Sequence, residues 1–201
     1  MFLAELEFYK KFSHNRSNSI AVSVAPLLPA NSMILDFGCG NMCTSKAISN
    51  IVSDINIVGV DVIEDLNLNL NGNTNIQFKK YSGLSVPFED HSFDAVLAAS
   101  SLHHTHSPEF YLDEFKRLVK PGGKIILVEE MYVNKLDFLW IAWQDYVLNK
   151  MKKGVPIPLR FRSRNHYVAE FKKRGWDILI EKSLRPNFPY QHHYIFQLKN
   201  S

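Results

Sequence analysis

Residues 33–37 form a short apolar run, broken only by Asp36, that stops on Gly38-Cys39-Gly40. A run of this length bounded by glycine reads as a buried strand ending in a tight turn. Glycine lets the backbone turn sharply there and lets a ligand lie against main-chain atoms with no Cβ in the way. A Gly-x-Gly alone is weak, because many nucleotide folds share it. Asp61 narrows the reading: it closes the next apolar run, 55–60, and stands 21 residues beyond Gly40. A carboxylate at that strand end can accept both hydroxyls of a ribose. The plainer alternative is a strand-end residue that opens a turn.

The runs that follow keep this alternation. Further strands are predicted at 75–79, 93–99 and 124–128, with helices at 44–52 and 108–118 and a turn at Pro121-Gly122-Gly123. Unbroken apolar strands alternating with helices favour a parallel sheet covered on both faces. Two short helices, 5–12 and 17–28, are predicted ahead of the first strand. After Glu130 the pattern changes to an aromatic, helix-prone stretch and a proline-containing basic loop, together 131–165. A helix (166–174), a strand (176–181), a proline-rich turn (185–189) and a last strand (193–198) complete the chain. A short turn makes the last two strands antiparallel.

The chain has 201 residues, 46% hydrophobic and 21% charged, which suits one globular α/β domain spanning 1–201. Its start has neither a basic n-region nor a long apolar h-region, so no secretory signal is expected. No apolar run is long enough for a membrane span. Cys39 and Cys43 are too few for a disulfide framework, which makes a reducing, cytoplasmic setting the simplest expectation. The net charge of +3 is unevenly spread: between Lys150 and Arg174 nine bases face one acid, Glu170, leaving −5 for the remainder. Such a segment can meet an anionic substrate, nucleic acid or a membrane surface, or can simply be a solvated loop and helix face.

Three blocks occur in order: Asp36-Phe37-Gly38-Cys39-Gly40 with the later Asp61, Val86-Pro87-Phe88-Glu89-Asp90-His91-Ser92-Phe93-Asp94, and Arg117-Leu118-Val119-Lys120-Pro121-Gly122-Gly123-Lys124. Together they resemble the class I S-adenosylmethionine (SAM)-dependent methyltransferase family, in particular its small-molecule, type 11-like branch, over about residues 30–130. NAD dehydrogenases lack the second and third blocks. The resemblance implies a Rossmann-like three-layer sandwich around a seven-stranded, mostly parallel sheet with its last strand antiparallel. It implies SAM as cofactor, with Asp36 and the Gly38, Cys39 and Gly40 backbone on the methionine part, Asp61 on the ribose and Val62 against the adenine. Where the family often has an acid for the adenine amino group, this chain has Ser82, whose hydroxyl, or the backbone NH of Gly83 or Leu84, would serve. Ser100 falls where the family lines the methionyl group. Met42 departs from the pattern, since many members carry a third glycine there.

Methyl transfer from a sulfonium is an in-line displacement, so alignment is the protein's main task. When the acceptor is a hydroxyl or amine, a base can also remove a proton. His103 and His104, just after the fourth strand, are the candidates; both could instead pack or cap the following helix. No metal site is expected, because His103, His104 and His106 lack a zinc spacing and Cys39 belongs to the glycine turn. The aromatic run 136–143 fits a lid over an apolar acceptor pocket; the alternative is a helix that buries Trp140 and Trp143 in the core or in a homodimer contact. A small-molecule methyl acceptor is therefore the first reading. An RNA methyltransferase using the 150–174 segment and a non-catalytic SAM-binding protein are the alternatives. Nucleic acid is disfavoured because no RNA-binding module is recognisable.

Overall fold

The computed structural model describes residues 14–65, 68–150, 158–184 and 193–200, and the side chains of those residues other than 148–150. The expected helix at 5–12 and the turn at 185–189 lie outside them. The chain is helical over 14–24 (α1) and continues as a 3-10 turn, Ala25–Leu27. Then follow β1 (Met33–Phe37), α2 (Cys43–Ser49), β2 (Asn56–Asp61), β3 (Ile76–Lys80) and β4 (Phe93–Ala99). After these come α3 (Pro108–Leu118), β5 (Val119–Tyr132), α4 (Lys135–Lys150), β6 (Arg162–Ser163), α5 (Arg164–Lys173), β7 (Asp177–Leu184) and β8 (His193–Lys199).

Seven strands form one sheet in the order β3-β2-β1-β4-β5-β8-β7. The pairs β3-β2, β2-β1, β1-β4 and β4-β5 are parallel, and β8 runs antiparallel to both β5 and β7. This is the Rossmann-like sheet expected from the sequence, with one addition: β6 pairs with the end of β5 through Met131–Arg162, making an eighth strand.

Side-chain alternation with period two explains why the strands read as unbroken apolar runs. Leu35, Phe37, Val96 and Leu127 point to one face, where they meet Phe115 of α3 and Phe171 of α5. Ile34, Ile57, Leu97 and Ile126 point to the other, against Ile20 and Val24 of α1 and Ile48 of α2. Both faces are covered, and the ligand edge is left at the carboxyl ends of β1, β2 and β4.

Pro121-Gly122-Gly123 is not the turn before a strand that the sequence suggests. It lies inside β5, where pairing jumps from Phe93–Val119 to Ala95–Lys124 and the intervening residues bulge out. Gly122 takes φ +74° there, and a bulge tolerates proline's missing donor.

The second sequence block has a structural explanation in α3. Glu114 accepts hydrogen bonds from the Val86 backbone (2.8 Å) and the Ser85 hydroxyl (2.8 Å). Arg117 donates to the carbonyls of Val86 (3.0 Å) and Phe88 (2.8 Å) and to Asp90 (2.9 Å). These two helix side chains hold the loop ahead of β4.

Candidate active site

At the end of β1 the chain reverses by placing Gly38 at φ +68° and Gly40 at φ +52°, both in the left-handed region. The amides of Gly38 (2.8 Å) and Cys39 (3.2 Å) donate to the carbonyl of Val60, which ties the turn to β2. A Cβ on Gly38 would lie 2.3 Å from the Cβ of Ser101, so this position tolerates only glycine. Met42, at the position where many members of the resembling family carry a third glycine, also takes a left-handed conformation, φ 59°. Its side chain is fully buried and fills space over Gly59, where a Cβ would come within 2.5 Å of the Met42 methyl.

Asp61 turns its carboxylate into this turn: Oδ2 accepts from Gly40 N (2.9 Å) and Oδ1 from Ile63 N (3.1 Å). Each oxygen keeps a lone pair for a further donor. Asp36 lies behind the turn, 2% exposed, and accepts a hydrogen bond from Ser45 of α2. Burial pushes its carboxyl up to about 6, against the Ser45 hydrogen bond and with help from the Asp61 charge. Burial, Asp36 and Asp61 also push the Cys39 thiol far up, so it is an uncharged wall of the turn. Val62 and Gly83 are half-buried neighbours; a Cβ on Gly83, at φ +82°, would approach Val62 to 3.1 Å. Tyr111 of α3 donates to the Gly83 carbonyl (2.5 Å), while Ser82 and Leu84 face outward.

Beyond β4, Ser100 sits at φ +52° with its amide on Val128 O (2.7 Å). Its hydroxyl meets Arg16 of α1 at 2.5 Å, and the same guanidinium reaches Glu130 (2.9 Å) and His193 (3.1 Å). Glu130 is held far below the usual carboxylate range: burial opposes the charge, but His193, Arg16 and His103 outweigh it. The sequence reading missed Arg16, since a lone arginine in an N-terminal helix carries no motif.

His103 is 2% exposed. Its Nδ1 donates to Glu129 (2.7 Å), whose other oxygen accepts from the amides of Ser101 (2.8 Å) and Leu102 (2.7 Å). Burial works against a charge on His103, but Glu129 and Asp145 push it up to about 10, so the ring holds its proton at neutral pH. His104 is more open, and the two rings lie 4.2 Å apart. Asp145 of α4, which no sequence pattern singled out, comes within 3.7 Å of Nε2 on both histidines.

Helix α4 buries Ile141 and Asp145 but exposes Leu136 (77%), Leu139 (62%) and Trp143 (57%). Trp140 lies beside Trp143, centroids 5.3 Å apart and planes tilted by 30°, and is itself partly exposed. The alternative in which both tryptophans are buried in the core is thereby corrected: the buried side of this helix carries residues 141 and 145, and the indoles fall on the other.

Glycine turn, strand-end carboxylate and polar loop after β4 lie together at the carboxyl edge of the sheet. Residues 35–127 match the family model described as a methyltransferase domain. A demethylmenaquinone methyltransferase of Clavibacter sepedonicus is 33% identical over 111 residues, 53% of this chain and 44% of that protein. A tRNA (carboxymethyluridine(34)-5-O)-methyltransferase of Xenopus tropicalis is 29% identical over 62% of this chain and 18% of its own length. Among solved structures, 1,6-didemethyltoxoflavin-N1-methyltransferase of Burkholderia thailandensis, with S-adenosylhomocysteine bound, superposes with a TM-score of 0.67 at 13% identity. That match covers 98% of this chain and 82% of that one, and it is a likeness of fold. The sequence match to methyltransferases is confined to the central segment of the chain, a little under half of it for the family model. The chain spans well under two thirds of the length of the two curated relatives named above.

Proposed function

We propose that the protein transfers a methyl group from SAM to a small-molecule acceptor. The observation that carries this reading is Asp61, whose carboxylate is fixed by Gly40 N and Ile63 N at the mouth of the glycine turn, where a ribose diol would meet it. The residues present fit SAM in their chemistry. Asp36 and Asp61 supply negative charge toward a cationic ligand, and the Cβ direction of Gly40 opens into empty space. Bound SAM supplies an electrophilic methyl group on a sulfonium.

The chain's own residues would then divide the work. The Gly38, Cys39 and Gly40 backbone, Asp36 and Ser100 hold the methionine part; Asp61 holds the ribose; Val62, with Ser82, Gly83 or Leu84, bounds the adenine. His103, fixed as an imidazolium by Glu129, positions the loop and is no base; His104 is the ring left to accept an acceptor's proton. Met42 fits its position without intruding on the turn, which argues against a damaged, non-catalytic site.

Helix α4 covers the acceptor side. Its exposed apolar residues would select an apolar acceptor. The test is calorimetric titration with SAM, followed by methyl turnover on a panel of phenols, quinols and amines. Trp143→Ala should lower acceptor turnover several-fold with SAM affinity within twofold of wild type. No SAM binding would end the reading, and equal losses in both quantities would end the selecting role of α4.

The rival substrate class is RNA, favoured by the tRNA-modifying relative and the basic segment. In the structure Arg162 pairs with Glu109 (2.8 Å), Arg164 with Glu181, and Arg174 with Asp113 (2.8 Å) and Glu170. Arginines committed to carboxylates are poor partners for a phosphate chain. We expect no saturable binding to total tRNA below micromolar concentrations at physiological salt. In an anisotropy series across salt, a slope of roughly −0.7 per neutralised phosphate with tight binding would reverse this ranking. Among the described residues no helix is long and apolar enough to cross a membrane.

A further inference from the structure

We propose that Nε2 of His103, Nε2 of His104 and a carboxylate oxygen of Asp145 bind one divalent first-row transition metal ion of the zinc type, fastening α4 to the loop after β4. The three side chains come from two elements far apart in sequence, and their ligand atoms all lie within 4.8 Å of one another. Asp145 Oδ1 is 3.7 Å from each histidine Nε2. Bonds of roughly 2.0–2.2 Å from zinc to imidazole nitrogen and carboxylate oxygen require ligand atoms a little over 3 Å apart, so the carboxylate needs to close on each nitrogen by only a few tenths of an ångström, and the two nitrogens, within 4.8 Å of each other, draw together around the ion.

The surroundings are those of a held ligand. Glu129 accepts from His103 Nδ1 at 2.7 Å, which leaves Nε2 as the coordinating atom and fixes the ring's direction. Phe161 stacks on the other side of that ring, centroids 4.5 Å apart and planes at 21°. Glu129 is itself locked by two backbone amides. His103 and Asp145 are buried and His104 is partly open, giving an ion an entry and an outward fourth position.

Separate ion pairs draw each ring toward Asp145, and both nitrogens converge on one oxygen with the rings 4.2 Å apart. One cation shared by both rings and the carboxylate accounts for all three. Two imidazoles and one carboxylate suit zinc, cobalt or nickel, whereas magnesium and calcium prefer all-oxygen sets. This stands apart from the cofactor reading, because its test is metal binding alone. Coordination displaces the proton from Nε2 of His103 to solvent and takes the His104 lone pair, so the imidazolium and the base role given above belong to the metal-free protein.

The experiment uses the untagged full chain, stripped by chelator, titrated with Co2+ by visible absorption and with Zn2+ by competition. One equivalent should bind, with the intense bands of low-coordinate cobalt. His104→Gln and Asp145→Asn should each weaken binding at least a hundredfold, while His106→Gln, on the same loop outside the trio, leaves it unchanged. Circular dichroism checks each variant, and should Asp145→Asn not fold, the partly exposed His104→Gln decides alone. Absence of saturable binding at micromolar metal, or wild-type affinity in His104→Gln, overturns the proposal.

Discussion

Asp61→Ala should weaken SAM binding by well over tenfold in a calorimetric titration. A hydrogen bond to a charged acceptor contributes ~1.5–3 kcal/mol, and a ribose diol offers two, so losses of roughly a hundredfold are within reach. The substitution also frees the amides of Gly40 and Ile63, which Asp61 holds at 2.9 and 3.1 Å. Some lowering of the melting temperature is therefore expected, and Asp61→Asn is the cleaner partner. It keeps an oxygen for one amide but turns an NH2 toward the other, so it should bind SAM poorly and melt between wild type and Asp61→Ala. Wild-type affinity in both variants would remove Asp61 from the ribose.

Glu129→Ala should be the most destabilising single change at the site. The residue is fully buried and serves three donors, the amides of Ser101 and Leu102 and the His103 ring. Removing one partner of a buried pair costs about 3–5 kcal/mol, because the other is left buried and uncompensated. For a chain of this size each kcal/mol lowers the melting temperature by roughly 2–4 °C, so a drop on the order of 10 °C is expected. A drop of only a degree or two by differential scanning calorimetry would mean that the loop after β4 does not depend on this carboxylate.

What the sequence carried and what it hid follow from range. The turn at Gly38–Gly40 and its partner Asp61 are local signals, a run of apolar residues ending at a special backbone conformation, and both stand where the pattern put them. The even apolar character of β1, β2 and β4 correctly announced a sheet covered on both faces. The excursion inside β5 was misread because proline and glycine signal a turn equally well whether the strand ends there or bulges. Arg16 and Asp145 escaped notice for another reason. Each sits on a helix with no motif and takes its meaning from a side chain 84 residues away in one case, and from a distant histidine pair in the other. Helical spacing marked 136–143 as apolar, but it could not say that the buried side would carry Ile141 and Asp145 and leave Trp143 outside.

Met42 and Gly59 form a matched pair, one side chain occupying the space the other lacks. A turn built from successive glycines is supple, and a ligand that settles on it must spend part of its attraction on stilling the backbone. Here a wedge of thioether, sunk into the gap over β2, does that stilling in advance. With the loop already wedged, a ligand settling at this edge would leave less backbone freedom to be lost on binding.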